Sequence, residues 1–385
     1  MKIHLTLPAA VFITLMTAAQ ATGSPLLYLL AMLVMLTVIF SLAGVLWASS
    51  TMRISAETDQ TAVRRGDEVI LLLRVRHSGR IPVAPMSLEL STLTGELLRE
   101  IRLKNMPGRT QTLQLPLQAV HVGVFSAGIR SCTVEDLLGF FQRKIIPRDA
   151  EYSMTVYPLT FETEPVQMAP GDPGSEIMAR ATEDLNAPSD VRSYQPGDAM
   201  KKIHWKLSLR KGELIVRKFD EPVLQEILIL MDCSNSPVSE NPEAEADLRD
   251  ALLETGASLF SDQVKAEHTV RMPLTGSHPV DLDGRMDLSL VFDYLAKTDF
   301  SSAERFEQAL LMESRRLGKV GYVAVITAQM NGAIAEMMIR MHRMGPNMRL
   351  YMIAMNPEDP ALTALTGQLE HAGIEVAYVT PEFAG

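Results

Sequence analysis

The chain of 385 residues is long enough for two soluble domains of ordinary size and a membrane anchor, so one compact domain is not expected. Its net charge of -10 excludes a general nucleic-acid binder, because such proteins carry a basic surface that neutralises phosphates. The two cysteines, Cys132 and Cys233, are far apart in the sequence. This excludes a disulfide framework and is typical of a reducing compartment.

Two apolar segments predict a transmembrane hairpin over residues 1–50. The segment from Leu26 to Trp47 contains no charged residue. As a helix it would be about 33 Å long, enough to cross a hydrocarbon core of about 30 Å. The segment from Ile3 to Ala21 predicts the other span. An alternative is a cleaved signal peptide, since residues 19–21 (Ala-Gln-Ala) resemble a signal-peptidase site.

Basic residues flank the two apolar segments. Lys2 precedes the first segment, and Arg53, Arg64 and Arg65 follow the second. Because Lys and Arg concentrate on the cytoplasmic side of the membrane, both ends of a hairpin are expected there. If the first segment were cleaved, the second would act as a stop-transfer helix with the same result. We therefore expect a multi-pass inner (cytoplasmic) membrane protein with its soluble domains in the cytoplasm.

Short runs of β-forming residues, separated by turn residues, predict a β-rich domain over residues 51–160. The runs from Glu68 to Arg76 and from Thr112 to Leu117 alternate at least partly between apolar and polar residues. This spacing is typical of a small antiparallel sandwich or barrel. Residues 161–222 begin with a linker rich in Pro, Gly and Ser and continue into a distinctive motif.

The distinctive motif begins with DVRSYQPGD at 190–198 and continues with IHWK at 203–206 and ELIVRKF at 213–219. It closely resembles the signature of the bacterial family known as domain of unknown function fifty-eight. The runs HVGVF at 121–125, EDLLGFF at 135–141 and VYP at 156–158 are also similar to that family. The resemblance implies two N-terminal membrane helices. The signature residues are Asp190, Arg192, Tyr194, Gly197, Asp198, His204, Trp205 and Lys206.

The signature can also be interpreted from its residues alone. Apolar and polar residues alternate from Ile203 to Arg210, which favours a half-buried strand, although an irregular helical turn is an alternative. We expect Trp205 to be a core anchor and His204 to lie on a solvated face. The interleaved charges predict ion pairs. The alternative is a catalytic cluster, because histidine and carboxylates together can perform acid–base chemistry. Its members would be Asp190, Arg192, Asp198 and His204.

Strands and helices are predicted to alternate over residues 223–385, which favours a mostly parallel sheet with helices on both faces. Ligands in such folds bind beyond the carboxyl ends of the strands. The predicted strands are Ile227 to Met231, Thr269 to Met272, Tyr322 to Ile326, Arg349 to Ala354 and Glu375 to Val379. The predicted helices are Glu243 to Lys265, Ser302 to Arg316, Ala333 to Met344 and Pro360 to His371.

The run DCSNS at 232–236 follows the first of these strands. Its spacing resembles the metal-ion-dependent adhesion site of von Willebrand factor A domains, and the resemblance implies an A-like domain that holds Mg²⁺. The implied ligands are Asp232, Ser234, Ser236 and Thr298. Residues 327–329 (Thr-Ala-Gln) stand where these domains commonly supply another aspartate, so the site would be degenerate. The alternative is a structural role in which Asp232 caps a loop and the serines bond to backbone amides.

These features predict a membrane-anchored protein-interaction or assembly factor whose A-like domain binds a protein partner. The resemblance implies a MoxR-type AAA+ ATPase and a transglutaminase-like membrane protein as partners, because such families are commonly found together. The alternative is an enzyme that uses the His204 cluster. Since the sequence shows no nucleophile, metal set or phosphate loop beside that cluster, we expect no enzymatic activity.

The charge distribution generates a topological prediction. A reporter enzyme fused after residue 385 should be active in the cytoplasm, because Arg53, Arg64 and Arg65 retain the following chain on that side. Paired fusions with a cytoplasm-active and a periplasm-active reporter measure this directly. Activity of the periplasmic reporter alone would contradict the predicted topology.

Overall fold

A computed structural model divides the chain into two compact units, Met1–Pro158 and Leu159–Gly385. Each unit is considered by itself below. The structure describes residues 2–58, 60–77, 86–93, 97–103, 110–148, 150–164, 166, 190–195, 200, 203–218, 226–234, 241–275, 279–302 and 304–381.

The first unit begins with two apolar helices that pack against each other, α1 (Thr6–Thr22) and α2 (Pro25–Thr51). The chain reverses at Gly23, whose φ of 64° ends α1, and Pro25 begins α2. Small residues such as Ala19 and Ala31 are buried, whereas Leu7 and Met32 are about 70% exposed. Of the two, α2 is long and apolar enough to cross a membrane, and α1 is a shorter apolar helix.

Two sheets enclose one apolar core in the rest of this unit. The strands are β1 (Lys2–Ile3), β2 (Met52–Glu57), β3 (Ala62–Arg64), β4 (Glu68–His77), β5 (Met86–Ser91), β6 (Leu97–Leu103), β7 (Thr110–Gln118), β8 (Gly123–Glu135), β9 (Phe141–Ile145) and β10 (Glu151–Tyr157). One sheet has the order β2-β4-β7 and the other β1-β9-β8-β10-β3, with β5 joined to β8 and β6 to β5. Leu71 of β4, Leu88 of β5 and Met154 of β10 are fully buried in the shared core.

The second unit begins with an extended segment that lies along a long helix, α4 (Pro242–Lys265). The N–H groups of Leu159, Phe161 and Thr163 donate to side chains one helical turn apart. Their acceptors are Glu254 Oε1 at 3.3 Å, Ser258 Oγ at 3.0 Å and Asp262 Oδ2 at 2.8 Å. The first residues of the predicted linker are therefore fixed to a helix rather than free.

The signature forms a small antiparallel pair of strands with a short helix between them. These elements are β11 (Asp190–Ser193), α3 (Trp205–Lys211) and β12 (Ile215–Lys218). Ile203 bridges to Val216, and Gly212 ends α3 with a φ of 73°. Of the two possibilities left open after Ile203, the helical turn is confirmed and the half-buried strand is wrong, because the chain turns into a helix at Trp205.

A six-stranded sheet forms the centre of the second unit. Its strands are β13 (Glu226–Met231), β14 (Thr269–Leu274), β15 (Val280–Asp283), β16 (Val320–Thr327), β17 (Asn347–Ile353) and β18 (Glu375–Val379). The remaining helices are α5 (Leu288–Lys297), α6 (Phe306–Ser314), α7 (Gly332–His342) and α8 (Pro360–His371). The order is β15-β14-β13-β16-β17-β18, and only the edge strand β15 is antiparallel. This is the doubly wound order 3-2-1-4-5-6.

Helices cover both faces of this sheet. On one face α4 packs against α5 and four of the strands, and on the other α6, α7 and α8 pack in sequence. Gly256 allows α4 to approach the sheet closely, because a Cβ there would lie 3.0 Å from Met272 Cε and 3.1 Å from Met231 Sδ and would require these methionine side chains to shift. The five strands expected from the sequence all occur, whereas β15 and α5 were not predicted.

Candidate functional site

The two central strands of the sheet, β13 and β16, are adjacent and parallel. From β13 the chain continues to α4 on one face, and from β16 it continues to α7 on the other. Their carboxyl ends therefore border a crevice, which is where open α/β sheets bind ligands. Asp232 directly follows β13, and Thr327 is the last residue of β16.

Asp232 is a nearly buried carboxylate held by three hydrogen bonds. Ser234 donates twice to Oδ1, from its hydroxyl at 2.6 Å and from its N–H at 3.1 Å. The Thr327 hydroxyl donates to Oδ2 at 2.9 Å. Thr327 therefore orients Asp232 across the two central strands.

The electrostatic environment of Asp232 disfavours its negative charge. Burial raises the pKa of this carboxyl group, the hydrogen bonds from Ser234 and Thr327 act in the opposite direction, and the charge of Glu307 raises the pKa further. The net direction is upward. A proton or a cation at this position would relieve the repulsion between the two carboxylates.

A cavity of about 220 Å³ lies at this edge of the sheet. Glu307, at the start of α6, supplies a second carboxylate to it. Asn331 Nδ2 donates to Glu307 Oε1 at 2.8 Å, while Asn331 Oδ1 accepts from the N–H of Ile334 at 2.8 Å and so caps α7. The cavity is lined by Asp232, Ser234, Arg305, Phe306, Glu307, Gln329, Asn331 and Ile334.

These oxygen donors suit a hard cation such as Mg²⁺, which prefers carboxylate, hydroxyl and amide oxygens. Sequence reasoning identified Asp232 and Ser234 but missed Glu307 and Asn331, because no motif connects loops that are this far apart in the chain. Thr298 does not occur among the described residues that line the cavity, and its hydroxyl donates to the backbone oxygen of Tyr294 at 3.0 Å. Ser236 lies outside the described residues.

His204 has a structural role in the signature. Its Nδ1 accepts a hydrogen bond from the N–H of Leu207 at 3.3 Å, so the ring caps α3. The backbone N–H of His204 donates to the backbone oxygen of Ile215 at 2.8 Å, and this bond ties the helix to β12. The Ser208 hydroxyl strengthens this junction by accepting from the N–H of Ile215 at 2.9 Å.

The expectation that Trp205 is buried was wrong, because 57% of this residue is exposed. Trp205 and Leu209 are four residues apart, so a helix presents them on one face, and that face is open to solvent. The anchors of the signature are instead Ile203, Ile215 and Val216, all at most 4% exposed.

The other signature residues are distributed along this element. Tyr194 is half-buried and its N–H donates to Leu214 O at 2.8 Å, while Lys206 is exposed on α3. Asp190 and Arg192 lie on β11, paired in register with Lys218 and Val216 of β12. Gly197 and Asp198 lie outside the described residues, so the proposed cluster around His204 is described only in part.

The family model described as "Protein of unknown function DUF58" matches residues 190–261. This match extends from β11 through Asp232 into α4. A curated relative, the uncharacterized protein YeaD of Bacillus subtilis (strain 168), is 23% identical over an alignment of 216 residues that covers 53% of this chain and 53% of the relative. The chain therefore spans about half of the length of this relative.

Solved structures give only distant similarities. The CARDB domain of the PF1109 protein from Pyrococcus furiosus has a TM-score of 0.22 and 12% identity, over 27% of this chain and 91% of its own. The cohesin module of a Clostridium perfringens ATCC13124 family 33 glycoside hydrolase has a TM-score of 0.21 and 10% identity, over 28% of this chain and 98% of its own. Scores this low carry no argument about function.

The burial pattern of the signature generates a prediction. Ile203→Ala should lower the free energy of opening of the β11–β12 pair by about 2–5 kcal/mol, because it removes a buried side chain. Trp205→Ala should change it by less than about 1 kcal/mol, because that residue is mostly exposed. Hydrogen exchange of residues 190–218 measures both variants. Equal losses would mean that Trp205 packs as an anchor after all.

Proposed function

We propose that this protein is a membrane-anchored protein-interaction or assembly factor rather than an enzyme. The observation that carries the proposal is the cavity at the crevice between β13 and β16, whose lining brings the carboxylates of Asp232 and Glu307 together beside the guanidinium of Arg305. Such a site suits a cation that is shared with a carboxylate of a partner protein. It therefore favours recognition of another protein surface.

The N-terminal helices support the membrane anchor. Large apolar side chains on α2 are exposed, with Leu26, Leu36 and Phe40 each at least 60% accessible, which is unfavourable in water and favourable in lipid. Ala19 of α1 and Ala31 of α2 are buried, and such small residues are common where membrane helices pack. We infer a hairpin that spans the bacterial inner membrane twice, with the soluble units in the cytoplasm.

The second unit is proposed to be a von Willebrand A-like domain. Its doubly wound strand order and the Asp-x-Ser run after the first strand support this assignment. In this proposal Asp232, Ser234 and Glu307 would hold Mg²⁺, and Thr327 would orient Asp232 through its hydrogen bond. The bound ion would supply a positive charge that a partner's carboxylate can reach through the opening of the cavity.

The proposed partners are a MoxR-type AAA+ ATPase and a transglutaminase-like membrane protein, as the family resemblance implies. The alternative of acid–base catalysis by the signature has less support. His204 Nδ1 already accepts a backbone hydrogen bond, so a reaction would have to use its Nε2. No described contact pairs this ring with a carboxylate that could orient it.

The metal site generates a prediction for the full chain in detergent. Mg²⁺ at a hundred times its dissociation constant should stabilise the second unit by about 2.7 kcal/mol, since the folded state alone binds the ion. Asp232→Ala should abolish this stabilisation and Glu307→Gln should reduce it, because each removes charge from the cavity. Thermal melting with Mg²⁺ and with chelator measures the effect.

A matched control is Glu336→Gln, which changes an exposed glutamate on α7 outside the cavity lining. It should retain the full response to Mg²⁺. If the wild-type chain melts identically with Mg²⁺ and with chelator, Asp232 and Ser234 have only the structural role.

The interaction role generates a second prediction. A MoxR-type ATPase should co-purify with the wild-type protein from membranes in Mg²⁺, and Asp232→Ala should weaken this capture without unfolding the second unit. His204→Gln should leave capture intact, because the altered side chain lies on the signature rather than at the cavity. Loss of cellular function in His204→Gln, with folding and capture both retained, would instead support the enzyme.

A further inference from the structure

The turn between β8 and β9 exposes two neighbouring leucines. Leu137 is 67% exposed and Leu138 is 58% exposed, and Ile3, on the strand β1 that pairs with β9, is 51% exposed. We call residues 136–141 the leucine turn. Polar residues usually occur at turns, so exposed apolar side chains there indicate contact with a membrane or with an apolar protein surface.

The leucine turn is held in one conformation by a buried aspartate. Asp136 Oδ1 accepts from the N–H of Phe141 at 2.7 Å, and Oδ2 accepts from the N–H of Leu138 at 3.1 Å. Gly139 adopts a φ of 72°, which permits the reversal. Because these bonds close the turn from within, the two leucines are presented outward.

One contact with α2 and one with the residue His4, which precedes α1, fix the position of the leucine turn along the hairpin. The Ser41 hydroxyl of α2 donates to Asp136 Oδ2, and the N–H of His4 donates to the backbone oxygen of Phe140 at 2.8 Å. The turn therefore lies beside the beginning of α1 and beside residue 41 of α2. The 17 residues of α1 span about 25 Å, and α2 from Pro25 to Ser41 has the same length.

The part of α2 that follows Ser41 extends past the leucine turn and packs against the two-sheet sandwich. Gly44, Val45 and Ala48 are buried, and α2 contacts β8 and β9. Met52 is the first residue after α2, and its Sδ lies 3.9 Å from Cys132 Sγ of β8. Strand β8 therefore runs from the leucine turn alongside the last part of α2. The leucine turn is therefore at the end of the two-sheet sandwich that faces the two apolar helical segments, α1 and α2 from Pro25 to Ser41.

We propose that Leu137 and Leu138 insert into the lipid bilayer beside the hairpin, so that the leucine turn is a third membrane contact of the protein. The lengths of the two helical segments are close to the thickness of a hydrocarbon core, about 30 Å. This match puts the leucine turn at the boundary between hydrocarbon and headgroups. This inference rests on the proposed membrane anchor. Its consequence is that the sandwich is held against the membrane surface at one end.

The test uses the full chain in nanodiscs of phosphatidylethanolamine and phosphatidylglycerol. A polarity-sensitive fluorophore is attached to Leu137→Cys, with Leu33→Cys on α2 as a membrane reference and Val124→Cys as the matched control. Val124 is an exposed apolar residue at the far end of β8, roughly 35 Å along the strand from the turn. The native Cys132 and Cys233 are buried and so protected from labelling in the folded chain.

We expect blue-shifted emission at positions 33 and 137, with quenching by lipids brominated near the headgroup at 137, and water-like emission at 124. Water-like emission at 137 with membrane-like emission at 33 would overturn the inference and leave the anchor standing. Water-like emission at all three positions would overturn the anchor itself.

Discussion

A carboxylate buried between the two central strands is the constraint around which the second unit is arranged. Asp232 follows β13, and its nearest side-chain partner across the sheet is Thr327 at the end of β16. A buried charge is costly unless hydrogen bonds satisfy it, so both loops must adopt conformations that point donors at this group. The crevice itself follows from the strand order, because the chain leaves β13 and β16 toward opposite faces of the sheet.

The first unit uses a buried aspartate in a similar way. Asp136 accepts hydrogen bonds from two backbone N–H groups of its own turn and from Ser41 of α2. These bonds couple the sandwich to the apolar helices, and they expose the neighbouring leucines as a consequence. In both units, therefore, an aspartate that satisfies loop amides or hydroxyls shapes the surface at which a partner or a membrane could bind.

The signature combines folding requirements with exposed groups. His204 and Ser208 bond to the backbone and join α3 to β12, which is a structural reason for their presence. Trp205, Lys206 and Leu209 are exposed instead, so packing within the described chain does not explain them. Aromatic side chains are enriched at surfaces that contact other proteins.

The sequence alone determined the types of many elements, because hydrophobic periodicity is a local property. It located the apolar helices, the β-rich region and five strands of the doubly wound sheet. It did not reveal β15, which has four residues, or α5, which has ten, and it left open whether a strand or a helical turn follows Ile203. Only the tertiary structure decided which distant residues meet. Glu307 and Asn331 join Asp232 at one cavity, and Ser41 reaches Asp136, because strand order and helix packing, rather than spacing along the chain, bring these groups together.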